Sequence, residues 1–332
     1  MTAAPRILVT GGAGYIGAHC CKALARAGIE PVSFDNLSRG HRDAVKWGPL
    51  EVGDLRDRDA VLDALVRHRI EAVIHFAALA YVGESVTQPT LYYDNNLGGM
   101  VALLGAMAQA GVRQIVFSSS CATYGVPQVL PIDEATPQNP INPYGRTKLF
   151  CEWMLRDAAA VGDLRYVALR YFNAAGADPE GEIGEHHTPE THLIPLALMA
   201  AYGTGPALRV FGTDYPTPDG TCIRDYIHVD DLAQAHLRAL THLADGGDSL
   251  AVNLGTGQGA SVRAVIAAVE RVTGRKVPVA FEARRPGDPA ELTADPRLAE
   301  ARLGFRARHR DLDRIVADAA PWFAPQSEVA CR

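Results

Sequence analysis

Apolar residues along this chain follow two rhythms. RILVT (6–10), PVSF (31–34), AVIHFA (72–77), QIVFSS (114–119) and YVALRYF (166–172) are short, nearly continuous apolar runs. That is the pattern of strands buried on both faces. Between them, HCCKALARAG (19–28), DRDAVLDALVRHR (57–69) and LGGMVALLGAMAQAG (97–111) space their apolar residues helically, with glycines near two of the ends. Strands alternating with helices predict an α/β protein with a parallel, doubly wound sheet. After residue 175 the pattern breaks. Segments 176–192 and 212–222 are rich in Gly, Pro, Asp and Thr and poor in core residues, a texture associated with functional or disordered loops. The expected organisation is a sheet domain over 1–177 and a smaller, mixed α/β substrate-binding domain over 178–332. Segments near 226–260, such as RDYIHVDDLAQAHLRAL, are expected to return to the first.

Bulk properties narrow the function. At 332 residues, 48% hydrophobic and 21% charged, the chain is an ordinary globular protein with room for one large or two modest domains. A net charge of −6 argues against a nucleic-acid or anionic-membrane binder, so an anionic ligand would need local arginines. The richest apolar run, LIPLALMAAYG, is interrupted by Pro195 and falls short of a membrane span. No signal peptide is evident. The six cysteines lack metal-ligand spacing. No metal site is expected, and the thiols read as reduced, in a cytoplasmic protein.

TGGAGYIG (10–17) follows the first strand and opens a helix. Gly11, Gly14 and Gly17 permit a tight turn, close backbone approach to a pyrophosphate and close helix–strand packing, while the helix N-terminus stabilises the phosphate charge. Asp35 closes the second strand eighteen residues after Gly17. An acid there accepts hydrogen bonds from ribose hydroxyls and repels a 2′-phosphate. The reading is a Rossmann-type domain that prefers NAD to NADP, with Arg39 the one dissenting residue. Asp54 either reaches the adenine or caps a helix.

Tyr144 and Lys148 lie four apart, after Pro143, so a helix would set both on one face. Beside a nicotinamide that pair acquires a meaning. Oxidising a secondary alcohol requires removal of its hydroxyl proton, and a phenol of pKa ~10 is a poor base. A nearby ammonium, with the positive nicotinamide, favours the phenolate. Lys148 would also hydrogen-bond the nicotinamide ribose. FSSSCATYG (117–125) ends another strand, where such sheets bind ligands. Ser120 is placed to hydrogen-bond the reacting oxygen, and Ser118 and Ser119 are assigned structural roles.

Taken together, TGGAGYIG, FDN, HFAA, SSSCATYG, NPYGRTK and RYFNAAG resemble the extended short-chain dehydrogenase/reductase superfamily. YVGESVTQPTLYYDNN, GTDYPTPDGTCIRDYIHVDDLA and RRPGDPAELTAD narrow the resemblance to the UDP-glucose 4-epimerase family, over residues 5–323. The resemblance implies tightly bound NAD, transient oxidation at sugar C4 with Tyr144 as base, rotation of the 4-keto sugar and return of hydride to its other face. Tyr144, Lys148 and Ser120 match the catalytic positions, which also touch the cofactor. Gly11, Gly14, Tyr15, Ile16, Gly17, Asp35, Asn36, Asp54, Leu55, Phe76, Ala77, Ala78, Asn95 and Phe172 match cofactor positions. Asn173, His192, Leu193, Arg209, Phe211, Arg224, Arg285, Asp288 and Leu292 match the substrate side. There Arg224 and Arg285 bind the diphosphate, Asp288 the uridine ribose, and Arg209 and Phe211 the uridine. A homodimer is implied, with helices 89–110 and 144–160 as candidate faces.

Three positions depart from the family pattern. Ala80 stands where some members carry a lysine, His192 replaces an asparagine, and Leu292 bounds the sugar pocket. A nucleotide-sugar dehydratase would need an Asp–Glu pair after Ser120, where Cys121 and Ala122 stand. A non-catalytic NAD sensor would have no use for Tyr144, Lys148 and Ser120 together. A UDP-xylose/UDP-arabinose 4-epimerase, or a dual hexose/pentose enzyme, shares the C4 chemistry and stays open as the alternative.

Overall fold

A computed structural model describes residues 4–325 apart from Pro286. The outer ends of the two expected domains, with Cys331, lie outside the described residues. The first six strands are β1 (Arg6–Thr10), β2 (Glu30–Asp35), β3 (Leu50–Val52), β4 (Ala72–His75), β5 (Gln114–Ser120) and β6 (Arg165–Tyr171). They are followed by β7 (Asn173–Ala175), β8 (Leu208–Phe211), β9 (Ile223–His228), β10 (Leu250–Leu254), β11 (Gly259–Ser261), β12 (Val279–Glu282) and β13 (Glu291–Leu292). Seven of them form one sheet in the order β10-β6-β5-β4-β1-β2-β3, and every recorded pair in it is parallel. Chain direction across the sheet reverses between β1 and β4, the crevice where doubly wound sheets bind ligands.

Both faces of this sheet are covered, as the continuous apolar runs require. On β1, Ile7 and Val9 face one core with Ile74, Val116 and Leu24. Leu8, between them, faces the other with Val73, Ile115, Leu103 and Leu155. The period of two along a strand divides the residues this way.

One cover comes from far along the chain. Helix Val229–Ala244 packs Leu232, Ala235, Ala239 and Leu243 against the Ile7–Val9 face, and β10 extends the sheet beyond β6. Leu303 and Phe305 join the same core, a return from residues beyond 260 that the sequence reading does not anticipate. The remaining strands build a second layer: β11-β9-β13 with β7 on β9, and the pair β12-β8. Its core joins helices Leu193–Tyr202, Val262–Thr273 and Leu312–Phe323 through Leu198, Val265 and Val316.

The first helix, α1 (Tyr15–Arg26), starts directly after Gly14, so the glycine loop opens a helix as expected. One element differs in form. The helix expected over 89–110 is interrupted by a π-helical turn, Tyr93–Gly98, before it resumes at Gly99–Ala110. Such turns arise often at functional sites. Here the turn carries Asn95 to the cavity wall, while the buried Asn96 holds both Leu79 and Thr147.

Candidate active site

The C-terminal ends of β1, β2, β4, β5 and β6 open into a cavity of about 880 Å³, within the range of small-molecule sites. At its β1 end the glycine loop lies hard against the backbone. Gly11 has φ +73°, and a Cβ there would sit 2.7 Å from the Ala77 nitrogen; one on Gly17 would sit 2.1 Å from the Gly11 carbonyl oxygen. Packing therefore demands both glycines. Gly14 is different: a Cβ would meet only the Gly11 oxygen, at 3.3 Å. That contact is tight but asks for a shift of only a few tenths of an ångström, so the stronger demand for glycine there would come from a phosphate approaching the N-terminus of α1.

Asp35 stands at the end of β2, accepting hydrogen bonds from the Ala13 nitrogen at 3.1 Å and the Leu37 nitrogen at 2.8 Å. Burial raises its pKa, opposed by those two N–H groups. Each carboxylate oxygen keeps a lone pair for a ribose hydroxyl. Asp54 is not a helix cap, since Asp57 caps helix Arg58–Arg67. Instead it pairs with Arg56 and accepts from Asn36, which hold its carboxyl well below the usual range. Arg39 is engaged by Glu84 at 2.8 Å and lies over the Tyr81 ring.

At the centre, the Asn142 side chain caps helix Pro143–Val161, with Pro143 in its first turn. One turn of that helix sets Lys148 Nζ 5.9 Å from the Tyr144 ring centre, and Lys148 donates to the Ser118 carbonyl at 2.8 Å. A buried pair fastens the helix to the sheet. Glu152 holds Arg170 of β6 at 2.6 Å and also accepts from Ser119. Ser118 bonds Tyr171, so both serines are spoken for. Ser120 is left facing the cavity with Tyr144. Burial brings the Lys148 ammonium down to about 8. Burial also pushes the Tyr144 phenol far up, opposed by its hydrogen bond with Ser120.

The far wall comes from the second layer. Arg224 of β9 pairs in register with Leu292 of β13 and holds Asp288 at 2.7 Å, while Arg285 reaches Asp288 at 3.5 Å. Phe172 and Leu292 pack against Tyr124 and Ile132. Every predicted cofactor-side residue lines the cavity, with Asn173, His192, Arg224, Arg285, Asp288 and Leu292 from the substrate side. Three do not line it: Leu193 packs into the second core, and Arg209 pairs with Glu282 while lying over Phe211. Phe211 is still within reach of the site, because the Arg285 guanidinium lies 4.5 Å from its ring centre. Tyr81, Glu84, Tyr171, Glu185 and His187, to which the sequence assigns no role, also stand on the wall. Tyr81, Glu84 and Tyr171 lie within the quoted family motifs, and the dense Glu/His spacing of 185–192 is the signal for the other two.

Residues 7–255 match the NAD dependent epimerase/dehydratase family. The chain belongs to that family. Within it, the chain is 53% identical over 322 residues to the UDP-glucose 4-epimerase of Rhizobium leguminosarum bv. trifolii, covering 97% of this chain and 98% of that relative. Among solved structures it is similar to the Brucella ovis UDP-glucose 4-epimerase in complex with NAD. Identity there is 58% and the TM-score 0.95, over 96% of this chain and 98% of the other. A Stenotrophomonas maltophila UDP-glucose-4-epimerase with bound NAD and formylated UDP-arabinopyranose is 43% identical. Its TM-score is 0.94, over 99% of this epimerase/dehydratase-family chain and all of that one (100%).

Proposed function

We infer that this protein interconverts UDP-glucose and UDP-galactose. One observation carries the reading: a single cavity joins a dinucleotide loop, a Tyr144–Lys148–Ser120 centre and a pair of arginines on Asp288. NAD suits the first of these, because Gly14 leaves open the space that a pyrophosphate needs and Asp35 keeps free lone pairs for the ribose. NAD bound there supplies a reversible hydride acceptor at sugar C4.

The chain's own residues do the rest. Tyr144 Oη takes the proton from the 4-hydroxyl and gives it back, and the Ser120 hydroxyl holds O4 in line. Lys148 orients the nicotinamide ribose. Burial opposes ionisation of Tyr144, so activation of this base rests on positive charge entering the cavity with the cofactor. Arg224 and Arg285 exchange Asp288 for the diphosphate, a contact suited to their forked donors. Asp288 is then free for the uridine ribose. Anchored through its nucleotide, the 4-keto sugar can turn and present either face.

The relatives named above are UDP-glucose 4-epimerases, so the pentose-specific alternative is not favoured. The chain is expected to act as a homodimer through helices 89–110 and 144–160, where Val101 and Trp153 are 60% and 43% exposed. A cytoplasmic location suits its five described cysteines, all free and buried. The deciding assay adds UDP-galactose to purified protein with no nicotinamide and follows UDP-glucose. Conversion without accumulating NADH is expected, and stoichiometric NADH would overturn the reading. The same assay on UDP-xylose, as kcat/KM, should run ten- to a few hundred-fold lower if lost C6 contacts are worth ~1–3 kcal/mol.

A further inference from the structure

Segment 176–192 is docked onto the first domain by many contacts. Tyr15 donates to the Gly176 carbonyl at 2.6 Å, and Lys22 holds Asp178 at 2.6 Å. His41 stacks on His186, and Arg39 donates to the Thr188 carbonyl at 3.3 Å. At its end, four side chains turn inward on one point. The ligand atoms of Glu185, His187, Glu190 and His192 all lie within 4.8 Å of one another. His192 Nδ1 is 2.7 Å from Glu185 Oε1 and 3.0 Å from Glu190 Oε1. His187 Nδ1 is 3.2 Å from Glu185 Oε1 and 3.5 Å from Glu190 Oε2.

Those separations bracket the spacing of about 3.3 Å between ligand atoms that tetrahedral bonds of ~2.0–2.2 Å impose. The carboxylates are buried, 4% and 7% exposed at the side chain. Yet Glu185 Oε1, Glu190 Oε2 and His187 Nδ1 have no hydrogen-bond partner. One hydrogen bond does close within the cluster, between His192 Nδ1 and Glu190 Oε1, an oxygen that also accepts from the Thr191 and His192 nitrogens; the three unpartnered atoms lack what buried polar groups need. A cation at the centre would meet all of them at once. The acidic cluster of Asp178, Glu180 and Glu182 differs, because Lys22 already fills its centre.

We propose that Glu185, His187, Glu190 and His192 form a structural site for a first-row divalent cation of the zinc class. Two imidazoles and two carboxylates suit zinc, and four protein ligands make a closed site with no position left for catalysis. Its place gives it a purpose. The His187 ring lies edge-on to Tyr15, at the start of α1, and to Tyr81 across the cavity mouth, with centre distances of 6.1 and 6.0 Å. Ion binding therefore fixes the loop that walls the cavity between the dinucleotide turn and the 77–84 segment. The sequence, whose cysteines lack ligand spacing, predicts no metal.

The test needs no turnover. Full-length protein is chelator-treated, dialysed, supplied with Zn²⁺ alone and desalted, and its metal content is measured by mass spectrometry. One zinc per chain is expected, with a rise in Tm over the chelated protein. Co²⁺ in its place should give visible bands of tetrahedral intensity, and His187→Gln and Glu190→Gln should each abolish retention and bands. Equal retention by the variants, or no retention by the parent, would overturn the proposal and leave two imidazolium–carboxylate pairs in its place. Should either variant fail to fold, X-ray absorption of the zinc-loaded parent decides. Imidazole and oxygen scattering supports the site, and sulfur scattering from a buried cysteine overturns it.

Discussion

The two ends of the cavity are built by different means. At the cofactor end, position is fixed by backbone pressed on backbone: Gly11 against Ala77, and Gly17 against Gly11. At the substrate end it is held by side chains that grip each other, Arg224 and Arg285 on the shared Asp288. The first arrangement cannot relax without moving strands of the central sheet. The second can be rearranged by trading one anion for another. A cofactor meant to stay bound suits the rigid wall, and a substrate that must enter, turn and leave suits the exchangeable one. Between them, the Tyr144–Lys148 helix is pinned to the rigid side by Glu152 and Arg170.

The largest expected effect lies where the ends meet. Tyr144→Phe should lower kcat by ~10²–10⁴-fold, the usual worth of a positioned base, while bound NAD and Tm stay at parental values. A variant retaining a third of the rate would remove Tyr144 from its assigned role. Next comes the exchangeable wall. Arg224 is only 12% exposed and Arg285 is 63% exposed. Hydrogen bonds to charged groups are worth ~1.5–3 kcal/mol, so Arg224→Ala should raise KM for UDP-glucose by roughly ten- to a hundred-fold. Arg285→Ala should raise it less, and an inverted order would show that exposure does not rank these contacts.

A smaller pair of effects probes the rigid wall. In Gly17→Ala the added carbon has no room, and overpacking of ~1–3 kcal/mol should lower Tm by about 1–5 °C in a chain of this length. In Gly14→Ala the extended backbone, φ −86° and ψ 171°, suits alanine and the Gly11 oxygen need give by only a few tenths of an ångström, so Tm should hold within about 1 °C while NAD is released faster. Loss of stability in both variants would mean that no space is reserved at Gly14.

The smallest expected effect is a slope. His236 lies under the cavity, its ring 4.5 Å from that of Phe76, and burial lowers its pKa from 6.5 to about 4. Between those values the unfolded chain binds the proton and the folded chain does not, so stability is lost as pH falls through that window. His236→Asn should flatten the fall by up to ~1.4 kcal/mol per pH unit, read from urea titrations between pH 6.5 and 4.5. An unchanged slope would locate the proton uptake elsewhere.

What could be read in advance follows the range of the interactions. β1 coincides with its apolar run because buried parallel strands write themselves as continuous hydrophobic stretches. The short edge strand Leu50–Val52 has no such run and leaves Val52 exposed, so no pattern announced it. The π turn at Tyr93–Gly98 changes hydrogen-bond partners without changing composition. On the substrate side, family position placed Arg209 and Phe211 in the site, but only the strand's register could show Arg209 turned toward Glu282. The 185–192 cluster stayed hidden because its ligands alternate along a loop, in none of the familiar metal spacings.

The late return of β10 and helix Val229–Ala244 bears on how the protein is made. Until residue 254 has left the ribosome, β6 is an open sheet edge and the Ile7–Val9 face has α1 but not its second helix over it. At ~5–20 residues per second, the stretch from β6 to β10 takes roughly 4–17 seconds to synthesise. Through that interval the nascent chain presents a bare parallel edge beside a half-covered aliphatic surface, the combination that recruits neighbouring strands. This protein should therefore lean on chaperones during translation more than its finished, closed sheet suggests.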